Sequence, residues 1–343
     1  MHVTVAIIGL DRLGTSFGLA LKRYQSQPKA QHSFTIIGSD PTAFPMKTAQ
    51  KMGAIDNFNR AVLKAMDGAD LIILNVPYGS LEDTYAVIGP ELKSGAVVLD
   101  TSLLKQPAID LAQRYFPARA DGQPLAYLIG TTPIINVQAL YGGDLSVEGA
   151  RADLFDKSDV LLTPDMKTPS EAIQLAEDIV RLIGGQPRFM DPAEHDGLIA
   201  ATEELPALLG ATLFYTLLQS EGWQELRRMV NPALALATQN LRYQMPDDLL
   251  PLLVQNRENL LRHLEALIGA LDGVRDALAE NDSDQIEAFL VLVRRTWEQW
   301  DVKRFSGKWE DSGQQPEVLP GPFGSVSGFL SMRRKKEDED DED

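Results

Sequence analysis

VTVAIIGLDRLGTSFG, residues 3 to 18, is the stretch from which the fold of this chain can be predicted. Its first part, Val3 to Ile8, is a short run of apolar and β-branched residues, typical of a buried parallel strand. A glycine turn follows at Gly9, and Leu13 and Phe17 then recur at the spacing of one helix face. A strand, a glycine turn and a helix in this order predict the entry to a dinucleotide-binding unit, whose helix N-terminus offers backbone N–H groups to a diphosphate.

The next strand supports the same interpretation. It runs from Phe34 to Gly38 and leads to Asp40, where an acidic residue can bond the hydroxyls of an adenosine ribose. A 2′-phosphate would meet this carboxylate, so the position favours NAD over NADP as the cofactor.

The fingerprint departs from the usual pattern at one position. Gly9, Gly14 and Gly18 stand where a tight turn and close helix packing need them, but Asp11 replaces the middle glycine. That glycine normally lets the backbone approach the diphosphate, and here a negative charge takes its place. Arg12 beside it is expected to supply compensating positive charge. The alternative is a domain of the same shape that binds its cofactor weakly or not at all.

Composition narrows the classes of function. The chain has 343 residues, enough for two domains, and no cysteine, which excludes disulfides, thiol nucleophiles and cysteine metal sites. Its net charge of -17 argues against nucleic acid as a partner. The four histidines lack metal-ligand spacing, so no metal site is expected. With neither a signal peptide nor an apolar run of about 18 residues, we expect a soluble, cytoplasmic protein without a membrane span.

Strands and helices alternate from Val3 to Met190, which predicts an α/β, mostly parallel, doubly wound sheet of the Rossmann type over residues 1–191. Ligands of such sheets bind at the carboxyl ends of the strands, so the residues that follow each strand should line one crevice. The expected cofactor-binding residues are Gly9, Asp11, Arg12, Leu13, Gly14, Asp40, Val76, Pro77 and Thr101.

From Pro192 the apolar pattern changes to a helical period, so residues 192–305 are predicted to form an all-α domain. Apolar stripes run from Leu250 to Leu278 and from Ile286 to Trp297. They suit either an ordinary core or the interface of a homodimer. Residues 306–343 turn to glycine, proline, serine and charge, which predicts a disordered acidic tail. Its segment Phe323 to Lys336 suits either a solubilising role or docking to a membrane surface or a partner.

Several segments resemble the prephenate/arogenate dehydrogenase family of tyrosine biosynthesis, and the resemblance covers roughly Val3 to Trp300. It implies a Rossmann domain followed by a helical dimerisation domain, and an NAD(P)-linked oxidative decarboxylation of a cyclohexadienol such as prephenate or arogenate. The matching segments are IIGLDRLGTSFGLALK, ADLIILNVP, KSGAVVLDTSLLK, DLFDKSDVLLTP, MDPAEHDGLIAATEELPALL and the pair Asn256-Arg257.

The resemblance implies catalytic positions at which this chain carries other residues. Thr132 stands where the family has the histidine that takes the proton of the ring hydroxyl, and a threonine is not a base near neutral pH. Glu204 replaces a second histidine, and Asn240 replaces the arginine that binds the substrate carboxylate. Ser102 lies one place before the family serine, whereas Lys105 matches. The expected catalytic residues are therefore Thr132, Glu204, Ser102 and Lys105.

Three functions are compatible with these residues. The first is an active dehydrogenase in which Glu203 or Glu204, with its pKa raised by burial, replaces the missing base. A crevice with fewer cations would then favour the ammonium of arogenate over prephenate. The second is a non-catalytic regulator that binds a nucleotide or a metabolite on the same fold. The third is a β-hydroxyacid dehydrogenase, although the catalytic lysine of that family has no obvious counterpart in this sequence. His195 is expected to make only a structural hydrogen bond.

Overall fold

A computed structural model of the chain describes residues 2–120, 122–140, 142, 144–307 and 309. The described part of the chain divides into two compact units, one that ends at residue 257 and one that begins at residue 258. The first unit contains the whole sheet, and the second contains the last two long helices of the described chain. The segment Phe323 to Lys336 and nearly all of the predicted acidic tail lie outside the described residues.

One sheet organises the first unit. Its eight strands lie in the order β3-β2-β1-β4-β5-β6-β7-β8, and all neighbouring pairs are parallel except β6 and β7. This arrangement confirms the predicted Rossmann-type sheet. The strands are β1 (His2–Ile8), β2 (Ser33–Ser39), β3 (Asn57–Phe58), β4 (Leu71–Leu74), β5 (Val97–Asp100), β6 (Tyr127–Pro133), β7 (Asp159–Pro164) and β8 (Gln186–Phe189).

Helices connect the strands and then continue alone after β8. Those among the strands are α1 (Arg12–Gln25), α2 (Ala43–Lys51), α3 (Val62–Met66), α4 (Leu81–Ile88), α5 (Lys105–Tyr115) and α6 (Ser170–Leu182). The helices after β8 are α7 (Pro192–Ile199), α8 (Leu205–Leu218), α9 (Trp223–Leu226), α10 (Pro232–Ala237), α11 (Pro246–Gln255), α12 (Arg257–Ala279) and α13 (Ser283–Ser306). A π-helical turn, Ala200–Glu204, joins α7 to α8.

The core of the first unit has two halves, one on each face of the sheet. Successive residues of a strand point to opposite faces. In β1, accordingly, Val5 and Ile7 belong to one buried cluster and Ala6 and Ile8 to the other. Both faces are covered by helices, which explains why the strands read as continuous apolar runs.

The turn after β1 needs its first glycine. Gly9 has φ +93°, and a Cβ there would lie 1.7 Å from the carbonyl oxygen of Asn75. A Cβ on Gly14 would lie 2.0 Å from the carbonyl oxygen of Gly9. The two glycines therefore allow α1 to begin directly against the ends of β1 and β4.

One apolar run is longer than the sequence analysis allowed. The continuous helical stretch Pro192–Leu218 is long and apolar enough, by length and composition alone, to cross a membrane, and 28% of its most apolar window is buried. The expectation that no apolar run reaches this length is therefore wrong. The stretch carries the buried acidic residues Asp196 and Glu204. Because core and interface helices pass the same test, this is weak evidence for a membrane span.

Candidate functional site

A cavity of about 900 Å³ opens at the carboxyl ends of β1, β2 and β4. It lies where the fold places its ligand, at the edge towards which parallel strands point. Of the expected cofactor-binding residues, five line this cavity, namely Gly9, Asp11, Asp40, Val76 and Pro77. Arg12, Leu13, Gly14 and Thr101 are not among its lining residues.

Asp40 follows β2 at one side of the cavity and is partly exposed there. Its carboxylate accepts hydrogen bonds from the backbone N–H of Leu10, at 3.2 Å, and from the N–H and hydroxyl of Thr42, at 2.9 and 3.0 Å. These bonds hold the side chain in place. Oδ1 accepts two of them and Oδ2 accepts one, so Oδ2 keeps capacity for a further donor. The position suits the hydroxyls of a ribose.

Asp11 caps the N-terminus of α1 at the mouth of the cavity. Its Oδ1 accepts hydrogen bonds from the N–H groups of Leu13 and Gly14, at 2.8 and 3.0 Å. The same oxygen accepts a bond from the side-chain amide of Asn75, at 2.7 Å. Asn75 in turn accepts a bond of 2.8 Å from the hydroxyl of Thr101, so the ends of β4 and β5 are linked to this cap.

Arg12 does not face the cavity. It is buried, and its guanidinium donates to the carbonyl oxygens of Ala139 and Gly142, each at 3.1 Å. Its charge is therefore directed at the segment that contains Ala139 and Gly142. The expectation that Arg12 compensates the charge of Asp11 is not met by these contacts.

A second group of polar residues is buried where β5 and β6 end. Lys105, the first residue of α5, is fully buried and donates from Nζ to the carbonyl oxygens of Asp100, Ser102 and Thr131, at 3.0, 2.5 and 3.2 Å. Burial lowers the pKa of Lys105 from 10.5 to about 8, although the charges of Asp100 and Asp196 act in the opposite direction. The lysine thus ties together the ends of two neighbouring strands.

Ser102 is buried beside this lysine. Its hydroxyl donates to a carboxylate oxygen of Asp100, at 2.5 Å, and its N–H donates to the other, at 3.0 Å. These bonds orient the turn from which Lys105 begins.

Thr132, near the end of β6, contacts a histidine that the sequence analysis treated as structural. Its Oγ1 lies 2.8 Å from Nε2 of His195, and Nδ1 of the same ring lies 3.2 Å from Oδ1 of Asp196. The carboxylate of Asp196 also accepts hydrogen bonds from the backbone N–H groups of Lys105 and Gln106, at 2.7 and 2.9 Å. Because an ionised carboxylate only accepts hydrogen bonds, Nδ1 carries the hydrogen and Nε2 is free to accept one.

The result is a hydroxyl–imidazole–carboxylate chain in which Thr132 is partly buried and the histidine is 1% exposed. Thr132 and His195 are 63 residues apart in sequence. In the sequence, the one local sign of this chain is that His195 directly precedes Asp196. That adjacency does not reveal that Thr132 on β6 is the other partner of the ring.

Glu204 lies in the π-helical turn and is 1% exposed. Its Oε1 accepts a bond of 3.0 Å from the side-chain amide of Asn256, which also donates to the carbonyl oxygen of Asp196, at 2.9 Å. Its Oε2 is buried without a hydrogen-bond partner among the described residues. Burial raises the pKa of Glu204 from 4.5 to about 7, and the charge of Asp196 adds to this, whereas the bond from Asn256 lowers it. Glu203, in contrast, is exposed.

Asn240, which stands at the position of the family arginine, is held by the protein itself. Its side-chain amide donates to the carbonyl oxygen of Ala207, at 2.9 Å. Among the described residues no group of three or more histidine, aspartate or glutamate side chains is arranged to hold a metal ion.

The fold and the cavity define a nucleotide-binding protein of the Rossmann type with a helical C-terminal region. A family model described as "Prephenate dehydrogenase, nucleotide-binding domain" matches residues 17–188. This match covers half of the chain, and the chain therefore belongs to the prephenate dehydrogenase family.

Individual relatives agree with this assignment. A cyclohexadienyl dehydrogenase from Zymomonas mobilis is 26% identical over 288 residues, covering 82% of this chain and 90% of the relative. A prephenate dehydrogenase from Bacillus subtilis is 23% identical over 302 residues, which cover 86% of this chain and 75% of the relative.

Solved structures share the fold. A prephenate dehydrogenase from A. aeolicus, in complex with hydroxyphenyl propionate and NAD+, has a TM-score of 0.72 and 20% identity, with 87% of this chain and 98% of the other covered. A Synechocystis arogenate dehydrogenase has a TM-score of 0.63 and 18% identity. The match covers 87% of this chain and 99% of the other.

Proposed function

We propose that this chain is an NAD-linked dehydrogenase that oxidises a ring alcohol of the prephenate or arogenate type, with loss of carbon dioxide and formation of an aromatic ring. The observation that carries the proposal is the hydrogen-bonded chain from Thr132 through His195 to Asp196, at the carboxyl end of β6. Relatives that include a prephenate and a cyclohexadienyl dehydrogenase support the same class of substrate.

The cavity fits the nucleoside half of the cofactor. Asp40 offers a carboxylate to the ribose hydroxyls, Gly9 leaves the turn open, and Val76 and Pro77 continue the wall beyond the end of β4. NAD, when bound, supplies the acceptor for the hydride. At the diphosphate position the cavity already holds the carboxylate of Asp11.

The residues of this chain provide a route for the proton that leaves the substrate hydroxyl. Thr132 Oγ1 accepts that proton while its own hydroxyl proton passes to Nε2 of His195. The imidazolium that forms is stabilised by Asp196, as in a Ser-His-Asp triad. A threonine joined to a buried imidazole thereby takes over the task of a histidine at the same position, because the base acts through the hydroxyl.

Between the two substrates we propose arogenate. Glu204 has a buried oxygen without a partner, and its carboxylate belongs to the same hydrogen-bonded cluster through Asn256. An ammonium group placed there would form a charge-assisted hydrogen bond, which contributes about 1.5–3 kcal/mol. The carboxylate and keto group of prephenate offer no such donor. Glu204→Gln should therefore lower kcat/KM for arogenate by about tenfold or more, which steady-state kinetics would measure. A variant as active as wild type would exclude this contact.

The decisive experiment compares two substitutions of one residue. Thr132→Ser keeps the hydroxyl, whereas Thr132→Val keeps the shape and removes it. We expect Thr132→Val to lower the rate of NADH formation by about 100-fold or more, and Thr132→Ser to stay within about tenfold of wild type. Equal activity of the valine variant would exclude this proton route, and absence of turnover by the wild type with both substrates would overturn the dehydrogenase itself.

A second candidate function is a non-catalytic protein that binds a nucleotide or metabolite on the same fold. The observation that favours it is that the carboxylate of Asp11 accepts hydrogen bonds from the N–H groups of Leu13 and Gly14, which a dinucleotide cofactor would otherwise use. Under either function we propose a cytoplasmic homodimer with a small-molecule ligand.

A further inference from the structure

The first turn of α1 is the part of the cavity where a dinucleotide normally places its diphosphate, because the free N–H groups of a helix N-terminus attract an anion. In this chain three of these N–H groups already have acceptors. Those of Leu13 and Gly14 donate to Asp11, at 2.8 and 3.0 Å. That of Arg12 donates to the carbonyl oxygen of Leu145, at 3.2 Å.

Nearby groups that would attract a diphosphate are also engaged. The guanidinium of Arg12 is buried and donates to the carbonyl oxygens of Ala139 and Gly142. The amide of Asn75 donates to Asp11. The remaining charge around the cavity is mostly negative, since its lining contains Asp11, Asp40, Asp83 and Asp248 but a single cation, Arg60.

We propose that Asp11 is a built-in occupant of the diphosphate position: a ligand that carries a diphosphate binds only by displacing its carboxylate, whereas a nucleoside without phosphate binds beside it. The residue thereby determines which nucleotides the cavity accepts. This inference rests on the proposed nucleotide-binding function and adds to it a residue that lowers the affinity for every ligand with a diphosphate, NAD included.

Helix capping alone does not explain this residue. An N-terminal cap needs only an oxygen acceptor, and Ser, Thr or Asn supplies one without charge. Asp11 places its charge on the exposed, cavity-facing side of the helix, where it meets the ligand. Glycine at a cap costs only a few tenths of a kcal/mol relative to a good capping residue, so the fold tolerates its removal.

The test is binding of two probes, ADP-ribose and adenosine, which share the nucleoside and differ in the diphosphate. Calorimetric titrations would compare wild type with Asp11→Gly, which removes the side chain, and with Asp11→Asn, which keeps the cap and removes the charge. Asp67→Asn, which removes an exposed charge that does not line the cavity, is the control. Thermal melting would verify that all variants fold.

We expect Asp11→Gly to bind ADP-ribose at least tenfold more tightly than wild type, with Asp11→Asn in between. The affinity for adenosine should change less than threefold in every variant, and Asp67→Asn should bind both probes as wild type does. Wild-type binding of ADP-ribose as tight as that of Asp11→Gly would overturn the inference alone. So would an equal gain for adenosine, since the effect would then not lie at the diphosphate. Failure of every variant to bind either probe would overturn the nucleotide-binding function together with it.

Discussion

Glu204 is the buried carboxylate whose charge is least compensated, and this gives the stability of the protein a defined pH dependence. Its pKa rises from 4.5 to about 7 on folding. Between these values this carboxyl binds more protons in the folded state than in the unfolded state, so its contribution to stability is fully present below pH 4.5 and is lost as the pH rises through the folded pKa. The difference between the two pKa values corresponds to about 3 kcal/mol of unfolding free energy.

Glu204→Gln should remove this dependence, because glutamine stays neutral. We expect the variant to be more stable than wild type at pH 8, by up to about 3 kcal/mol, and close to it at pH 5. Urea unfolding at the two pH values would measure the difference. An exposed glutamate elsewhere in the first unit provides the control, since Glu221→Gln should show no such trend. A wild type whose stability rises between pH 5 and pH 8 relative to Glu204→Gln would contradict the assignment.

Asp40 leads to a prediction about cofactor choice. Its carboxylate is fixed by Thr42 and Leu10 at the proposed ribose position, where a 2′-phosphate would bring a second negative charge next to it. We expect NAD to bind at least about tenfold more tightly than NADP, and Asp40→Asn to reduce this ratio. Titration calorimetry in the Asp11→Gly background, with both nucleotides, would measure it. Equal or tighter binding of NADP would refute the role of Asp40.

At the scale of elements, the break between α11 and α12 places a buried amide beside two acceptors. The apolar stripe from Leu250 to Leu278 predicts one long helical region, yet the helix ends at Gln255 and a new one starts at Arg257. The residue between them, Asn256, is buried and donates to both Glu204 and the carbonyl oxygen of Asp196. The interruption thus delivers an amide to the buried cluster.

Asn256→Ala should therefore destabilise the first unit. It removes the donor of Oε1 of Glu204 and leaves the carbonyl oxygen of Asp196 with the N–H of Ala200, and a buried acceptor that loses its partner costs about 1–3 kcal/mol. Urea unfolding of wild type and variant would measure the loss. The same substitution in a Glu204→Gln background should cost less, because the two side chains interact and their effects do not add. Additive effects would show that the bond between them contributes little.

The elements also show what sequence can and cannot predict. The order of strands and helices up to β8 follows from apolar runs and glycine turns, because these depend on neighbouring residues. The two-residue strand β3, the antiparallel pairing of β6 with β7 and the π-helical turn depend on tertiary packing and were not predicted. The contact between Thr132 and His195 belongs to the same class, since it depends on how α7 packs at the end of β6.

At the scale of the whole molecule, the helices after β8 leave much apolar surface uncovered. In α8, large side chains about 40% exposed include Leu213 and Phe214, and in the second unit Leu271 and Trp297 are 56% and 45% exposed. Large exposed apolar side chains in such number are typical of interfaces between protein chains. The acidic net charge of -17 adds long-range repulsion between copies, so apolar contacts would have to supply the association.

We therefore expect a two-fold homodimer built by the helical region, which closes its apolar faces on a second copy of the same chain. Light scattering at micromolar concentration should give twice the chain mass of 37.8 kDa. Leu271→Glu should shift the protein towards the monomer, because it places a charge on an apolar contact surface, whereas Leu271→Met should leave the dimer intact. A monomer mass for the wild type would refute the dimer. A dimer unaffected by Leu271→Glu would place the interface on another face, with α8 as the next helix to test.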